Sequence, residues 1–408
     1  MVNPISYIIK DVRRIPLGVK LVVFVIVLRT IGWGFVDPYY SIFIENFSQN
    51  YTVVGLFMAI LNMVSLFMLI PLMRLTDRVK DARIMEDGEI LYFAAMLLYV
   101  FAGMTQNVIF LIIALFVNGI AHPLLIVGAE SYIRKHSHGG SARSFGFYTA
   151  LGHFGWIFGM FMAAFLIPYY TFNTMFLFVL PGILISFFIL PKIRERGITS
   201  LIRGFKKYFH RTQDFKDILY DLKGIDKKMI FFLILALFDG MIMMFTYVFI
   251  PLFALVINLS LSKIALLMAV MYLPFIFSFF FSEVSDRLSK MNVIAVGLFI
   301  GAVSFVLLTF IVHQLWVVVL ASMTSLSLAI IRPAYNGMIT HLSPRRMLGE
   351  ITGLNNLFVR IGYIIGPIFS GIIADLYSIQ VAFFLVAIVA FGLGAITLLL
   401  KAHDQLAA

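Results

Sequence analysis

The chain has 408 residues, of which 62% are hydrophobic and only 12% are charged, with a mean hydropathy of +1.00. Soluble domains carry about 25% charged residues, and no globular core could bury this much apolar surface. The composition excludes a disordered chain, a nucleic-acid-binding module and a secreted disulfide scaffold, and it predicts an integral membrane protein. The absence of cysteine excludes thiol catalysis and disulfide bonds.

Twelve apolar runs are long enough, at about 17 to 25 residues, to cross the hydrocarbon core of a bilayer as helices. In chain order these predicted spans are Leu21–Ile44, Val53–Leu72, Ile84–Met104, Val108–Tyr132, Phe145–Ile167, Phe172–Leu190, Met229–Phe253, Ser262–Phe281, Val293–Val312, Leu315–Ile339, Gly349–Ile373 and Ile379–Leu400. They are called spans 1 to 12 below. A long polar segment separates the first six from the last six. The sequence therefore predicts an all-α membrane protein with a six-helix bundle in residues 1–190, a cytoplasmic basic linker in 191–228 and a second six-helix bundle in 229–408.

The net charge of +11 has a topological explanation. With both termini in the cytoplasm, 27 of the 31 Lys and Arg residues fall in inner segments, three lie within spans, and Lys263 alone lies outside. Basic residues are concentrated in cytoplasmic loops of membrane proteins. We therefore expect a multi-pass protein of the cell membrane with cytoplasmic N- and C-termini, in contact with membrane lipids and with no nucleic-acid partner.

The two halves carry matching landmarks. The pairs Asp77-Arg78 and Asp286-Arg287 follow the second span of each half and lie 209 residues apart, and Pro123 and Pro333 lie 210 apart in spans 4 and 10. Matches in the same order and at equivalent spans predict two pseudo-symmetric halves.

The chain resembles the major facilitator superfamily of secondary transporters over nearly its whole length. The best marker of that family is the loop motif Gly-x-Leu-Ala-Asp-Arg-x-Gly-Arg-Lys after span 2. Leu75, Asp77 and Arg78 match it, while Met73 and Lys80 replace its two glycines. The resemblance implies the twelve-helix fold of that superfamily and transport by alternating access, and it implies that the chain is not an enzyme.

A further likeness is to the drug/proton antiporter branch of this family. It is carried by residues Arg29 to Gly32 in span 1 and by Gly155-x-x-x-Gly159 in span 5. The chain departs from that branch at Met160, where the antiporter motif has proline, and at Leu115, which occupies the usual arginine position of span 4.

Charged groups inside spans are costly, so each is a candidate for function. Asp239, about 15 Å along span 7, is the leading proton-coupling candidate, because a carboxylate can gain and lose a proton as a neighbouring arginine moves. Its predicted partner is Arg29, since spans 1 and 7 both line the cavity of the resembled fold. The alternative is a static pair that holds the halves together. Asp37 is the second candidate, with a simple cap beside Pro38 as its alternative.

Other polar groups are candidates for binding solute, with internal structural pairing as the alternative. Arg332 precedes Pro333, which is predicted to break span 10, and Asn356 and Arg360 share one face of span 11. The full set is Arg29, Arg332, Arg360, Asn356, His122 and His153. Three intramembrane arginines against Asp37 and Asp239 leave one positive charge over, which favours an anionic solute.

The loops after spans 2 and 8 are interpreted as a cytoplasmic gate, because the resemblance implies that the first of them locks the inner side to span 11. The predicted gate residues are Asp77, Arg78, Arg83, Glu130, Asp286 and Arg287. The small-residue spacings Gly155/Gly159 and Gly362/Gly366 predict close helix packing in spans 5 and 11.

Three functions remain open. The first is proton-coupled efflux of small amphipathic organic molecules, the second is a symporter or exchanger of small organic anions, and the third is a non-transporting receptor or lipid-handling protein on the same scaffold. The sequence has no Walker loop, nucleophile elbow or metal-binding set. We therefore expect no cofactor and no metal, transport driven by an ion or solute gradient, protons and a small solute as partners, and a monomer.

Overall fold

A computed structural model describes residues 15–76, 79–137, 141–193, 227–343 and 348–407. Eleven helices in these ranges are long and apolar enough to cross a membrane. A twelfth span consists of two helices, Leu261–Phe277 and Phe280–Arg287, bent by 46°. The predicted fold class, an all-α membrane protein of twelve spans, is confirmed.

The helices follow the predicted spans, and most of them extend beyond the apolar run at one or both ends. Their bounds are Leu17–Val36 and Tyr40–Glu45 (span 1), Tyr51–Leu75 (2), Asp81–Thr105 (3), Val108–His136 (4), Ser141–Leu166 (5), Phe172–Leu177 and Leu180–Ile189 (6), Lys227–Val256 (7), Leu261–Tyr272 and Ser278–Arg287 (8), Lys290–Phe310 (9), Gln314–Leu342 (10), Leu348–Leu376 (11) and Ile379–Ala407 (12).

Two spans change from α-helix to a 3₁₀ turn at a proline, whereas a third proline that was predicted to break its span lies within a continuous helix. Span 1 changes to a 3₁₀ turn at Asp37–Tyr39, around Pro38, and span 8 does so at Leu273–Phe277, around Pro274. A proline lacks the N–H that would continue the α-helical ladder. Span 10, in contrast, is one continuous helix through Pro333, so the predicted break in that span is wrong.

The chain forms two compact units. Unit 1 comprises Met1–Pro38 and Met63–Arg211, and unit 2 comprises Tyr39–Asn62 and Thr212–Ala408. The chain therefore enters unit 2 within span 1, at the 3₁₀ turn, and returns to unit 1 within span 2. Most of the predicted linker 191–228 lies outside the described residues, so its boundaries stay a prediction.

Each unit repeats the same helix pairings. In unit 1, span 1 packs on span 5 and span 3 packs on spans 4 and 6. In unit 2, span 7 packs on span 11 and span 9 packs on spans 10 and 12. These are equivalent pairs at a shift of six spans, as the predicted internal repeat requires.

Candidate functional site

Unit 2 contains an ion pair between a buried carboxylate and a partly exposed guanidinium. Asp239 of span 7 is 2% exposed and accepts two hydrogen bonds from Arg332 of span 10, from Nε at 3.0 Å and from a terminal guanidinium nitrogen at 3.2 Å. The Tyr335 hydroxyl donates a third, at 3.0 Å. The Arg332 guanidinium also lies over the ring of Phe275, 5.5 Å from its centroid. Forked, charge-assisted hydrogen bonds stabilise the ionised carboxylate in this conformation.

This geometry corrects the expected pairing of Asp239 with Arg29. The partner is Arg332, which comes from the same unit and which was predicted as a solute-binding residue. Arg332 and Tyr335 are three residues apart on a continuous helix, so both point towards span 7. Sequence spacing identifies the shared face of span 10, whereas the identity of its partner depends on helix rotation.

The polar face of span 10 continues towards span 11. Asn336, one turn from Arg332, accepts a hydrogen bond at 2.8 Å from the side chain of Asn355. Asn355 is nearly buried, whereas Asn356, which was the predicted binding residue, is exposed. Arg360 is half-buried. The amide next to the predicted one therefore makes the polar contact between spans 10 and 11.

Unit 1 contains a second buried charged cluster. Arg29 of span 1 lies over the ring of Tyr92 of span 3, 5.0 Å from its centroid. Glu89, one turn earlier on span 3, is fully buried and experiences the charge of Arg29. Among the described residues, neither carboxyl oxygen of Glu89 makes a hydrogen bond of standard geometry, although Ser186 of span 6 lies beside the carboxyl group.

Glu89 is a candidate residue that the sequence analysis missed. It is eight residues from the start of span 3, or about 12 Å along it, and it follows Glu86 and Asp87. Those two carboxylates pair with Arg83 near the helix start, so in the sequence the whole acidic run looks like the end of a span that lies at the membrane–water interface. With Glu89 included, the three intramembrane arginines are matched in number by three carboxyl groups, so the positive surplus that favoured an anionic solute disappears when all three carboxyl groups are ionised.

Asp37 is buried at the 3₁₀ turn of span 1. Its Oδ2 accepts a hydrogen bond from the indole N–H of Trp156 in span 5, at 2.9 Å. Pro38 follows Asp37 within the 3₁₀ turn. The hydrogen bond from Trp156 fixes the carboxylate to a neighbouring span of the same unit. The observed contact has the geometry of a helix-to-helix tether.

The two histidines occupy less enclosed positions. His153 Nδ1 lies 2.9 Å from the carbonyl oxygen of Thr149, one turn earlier on its own helix, and its ring is near that of Trp156. His122 is half-buried in span 4. Their proposed part in solute binding stays a prediction.

The structure describes part of the predicted cytoplasmic gate. Asp77 and Arg78 lie outside the described residues. In the corresponding loop of unit 2, Asp286 pairs with Lys290 at 3.2 Å, and Arg287 pairs with Glu283. Both pairs are exposed and local to the end of span 8 and the start of span 9.

The remaining two predicted gate residues have separate partners. Arg83 pairs with Glu86 at 2.9 Å and with Asp87 at 2.8 Å, all within the first turns of span 3. Glu130 lies 3.8 Å from Arg134 on span 4. Each of these ion pairs is between residues of one helix.

A buried contact that was not predicted links the same region. Lys135, at the end of span 4, binds both carboxylate oxygens of Asp81 at 3.0 and 2.9 Å and also donates to the carbonyl oxygen of Thr76. Asp81 is fully buried at the start of span 3. This cross-helix pair connects the start of span 3 to the end of span 4.

The four predicted packing glycines lie at equivalent contacts of the two units. A Cβ atom at Gly159 of span 5 would overlap the carbonyl oxygen of Ile31 in span 1, and one at Gly155 would lie 2.6 Å from Thr30 Oγ1. In unit 2, a Cβ at Gly362 would overlap the backbone of span 7, and one at Gly366 would lie 2.7 Å from the carbonyl oxygen of Met241. The absence of a side chain therefore permits backbone contact next to both charged clusters.

A family model of the Major Facilitator Superfamily matches residues 22–282 and 231–406, which together include almost the whole chain. The chain belongs to the Major Facilitator Superfamily. The predicted resemblance is confirmed at this level, and the family is one of transporters rather than enzymes.

Solved structures of other superfamily members share this fold. A mutant of the nucleoside transporter NupG is similar with a TM-score of 0.77 at 13% identity, over 93% of this chain and 99% of that one. A bacterial homologue of the human lysosomal transporter Spinster, inward-facing and occupied, gives 0.73 at 15% identity, over 94% and 96%. The peptide transporter POT, in a mutant form bound to sulfate, gives 0.71 at 13%, over 95% of each chain.

One curated relative shows closer sequence similarity over a short region. An uncharacterized MFS-type transporter of Methanocaldococcus jannaschii is 31% identical over 100 residues, which are 24% of this chain. The match spans about a quarter, 26%, of that relative's length.

Proposed function

We propose that this chain is a secondary active transporter that exports a small amphipathic organic solute in exchange for protons. The observation that carries the proposal is the Asp239–Arg332 pair, in which a buried carboxyl group in the middle of a membrane span accepts hydrogen bonds from a single arginine and a tyrosine hydroxyl. Intramembrane ionisable groups of this kind are typical of proton relays in transporters.

The coupling of solute transport to proton movement follows from two states of Asp239, one paired with Arg332 and one protonated. While Arg332 is paired with it, the carboxylate needs no proton. When Arg332 moves away during the transport cycle, a buried carboxylate without its cation becomes costly, and binding a proton neutralises it. A solute that competes for either member of the pair therefore makes solute binding and proton binding mutually dependent.

The solute class rests on the composition of the clusters and on the likeness to the antiporter branch. Three arginines and three carboxyl groups leave no net charge inside the spans when all are ionised and one positive charge when Glu89 is protonated, so the charge balance by itself does not select an anionic solute over a neutral or cationic one. Similar folds carry nucleosides and peptides in the proteins named above, which supports an organic solute.

The setting of the activity follows the same proposal. The protein works as a monomer in the cell membrane, with both termini in the cytoplasm, and uses the proton gradient without a cofactor. Lipids, protons and the solute are its partners.

The test is proton movement driven by solute in proteoliposomes that contain a pH-sensitive dye. The solutes are ethidium as a cationic amphipathic dye, a neutral sugar, and a small carboxylate. We expect ethidium to move protons in the wild type and not in Asp239→Asn, because the amide cannot bind and release a proton.

A matched control is Glu86→Gln, which also removes one carboxylate but leaves Arg83 paired with Asp87. It should retain proton movement. Proton movement with the carboxylate solute alone would contradict export of amphipathic solutes and favour anion transport. No proton movement with any solute would contradict proton coupling.

A further inference from the structure

The structural repeat makes the two buried clusters unequal. Arg29 in span 1 and Asp239 in span 7 are 210 residues apart and occupy equivalent positions in the repeat. The same offset makes His122 in span 4 equivalent to Arg332 in span 10. In unit 2 these residues form the ion pair of Asp239 with Arg332. In unit 1 both are basic types, so a pair of opposite charges cannot form there.

The carboxyl group that balances unit 1 comes from a different helix. Glu89 projects from span 3 into the interior of unit 1, where Arg29 supplies the positive charge and Ser186 of span 6 lies alongside. The Ser186 hydroxyl donates its hydrogen bond to the carbonyl oxygen of Gly182, at 2.9 Å. Span 4 presents Leu124 and Leu125 beside the adjoining Gly88.

The surroundings of Glu89 suit a neutral carboxylic acid. A carboxylate has about four acceptor sites, and a buried carboxylate without hydrogen-bond donors is strongly unfavourable. Among the described residues no hydrogen bond of standard geometry reaches either oxygen of Glu89; the Ser186 hydroxyl lies beside the carboxyl group but donates to Gly182, and the Nε of Arg29 is also without a partner. The guanidinium lies instead over the ring of Tyr92, which is one turn further along span 3 from Glu89.

We propose that Glu89 is a second proton-binding residue, protonated in this conformation, and that Arg29 leaves Tyr92 to pair with the carboxylate when the proton is released. The O–H bond of Glu89 breaks, the proton passes to water, and the negative charge left on the carboxylate is balanced by the guanidinium. Before that release, in the present conformation, the two units hold carboxyl groups of opposite protonation state, with Asp239 ionised and Glu89 neutral. This inference rests on the proposed proton coupling and adds a residue to it.

The first test is independent of transport. Infrared difference spectra of the purified wild-type protein, between neutral and strongly alkaline pH, report the C=O stretch of each carboxylic acid that loses its proton. We expect a protonated-acid band that is absent from Glu89→Gln and unchanged in Glu86→Gln, because Glu86 is ion-paired with Arg83 at the start of span 3. Spectra of Glu89→Gln that match the wild type would overturn the proposal.

The role of Arg29 has a separate readout. Arg29→Gln removes the cation that stabilises the carboxylate form, so the acid band should persist to higher pH than in the wild type. A purely structural arginine would leave the pH at which the band disappears unchanged, and that result would remove Arg29 from the proposal.

Transport distinguishes a failure of this inference from a failure of the proposed function. Wild-type protein without solute-driven proton movement contradicts the proposed function, whatever the infrared result. If the wild type moves protons, Glu89→Gln should keep exchange of labelled ethidium between equal concentrations but move about half as many protons per ethidium, because Asp239 still binds and releases a proton. An unchanged ratio of protons to ethidium would overturn the coupling role of Glu89 alone.

Discussion

Asp375, near the end of span 11, binds Thr52 at the start of span 2. One carboxylate oxygen accepts hydrogen bonds from the backbone N–H and the hydroxyl of Thr52, at 2.7 and 2.6 Å, and the other accepts from the backbone N–H of Tyr51, at 2.8 Å. The first N–H groups of a helix have no partner within the helix and carry partial positive charge. An acidic residue from one span therefore caps the N-terminus of another within unit 2.

Removal of this cap should lower stability. We expect Asp375→Ala to cost about 0.5 to 2 kcal/mol, as substitution of a capping side chain by alanine does, and Asp375→Asn to cost less because one acceptor remains. Thermal unfolding in detergent measures both. Combining Asp375→Ala with Thr52→Val should cost less than the sum of the two single changes, and strict additivity would show that the contact contributes nothing.

The same contact can be made into a reversible lock. The natural chain contains no cysteine, so Thr52→Cys combined with Asp375→Cys introduces the only two thiols. Alternating access moves one six-helix repeat against the other, and spans 2 and 11 belong to different repeats. We therefore expect oxidation to stop ethidium transport and a reductant to restore it, while each single-cysteine variant stays active under oxidant. Full activity with a complete disulfide would show that these two spans stay together throughout transport.

The buried pair of unit 2 should be sensitive to loss of one member. Arg332→Ala leaves the carboxylate of Asp239 buried without its cation, which typically costs 3 to 5 kcal/mol. Arg332→Lys should recover only part of this loss because an ammonium group lacks the planar fork of the guanidinium.

The double variant Asp239→Asn with Arg332→Gln has no unpaired charge and should unfold at a higher temperature than Arg332→Ala, although it should not move protons. Thermal unfolding in detergent measures all three variants. Equal unfolding temperatures for Arg332→Ala and wild type would show that the ion pair does not stabilise the folded protein.

Span 11 offers a matched test of close packing. A methyl group at Gly362 would overlap the backbone of span 7, whereas among the described residues no atom from outside the local helix backbone lies within 4 Å of a Cβ placed at Gly353 on the same helix. Overpacking typically costs about 1 to 3 kcal/mol, so Gly362→Ala should lower the unfolding temperature. Gly353→Ala should leave it unchanged or raise it, because alanine favours a helix over glycine by about 1 kcal/mol. Equal effects of the two changes would contradict the proposed close approach.

Hydropathy was sufficient to predict the twelve spans, because a run of apolar residues that crosses a bilayer has few alternatives to a helix. The prolines were harder to interpret. Pro38 and Pro274 coincide with 3₁₀ turns, whereas Pro333 lies within a continuous helix, since neighbouring helices can accommodate the missing hydrogen bond.

The charged clusters could be predicted only in part. The buried positions of Asp239 and Arg29 follow from their depth along the spans, but the pairing of Asp239 with Arg332 depends on helix rotation. Glu89 was missed because it follows two interfacial carboxylates along span 3. The side chains of Asn355 and Asn356 point about 100° apart around the helix, and the sequence pattern did not determine which of the two is buried.

The most direct test of the account is whether a proton gradient alone can concentrate the solute. Proteoliposomes with a more acidic interior and equal ethidium on both sides would be followed by dye fluorescence, for the wild type and for Asp239→Asn. The account predicts that the wild type accumulates ethidium until the gradient is collapsed by an ionophore, whereas Asp239→Asn only equilibrates an imposed dye gradient. Wild-type protein that equilibrates ethidium but never accumulates it would contradict proton-coupled transport.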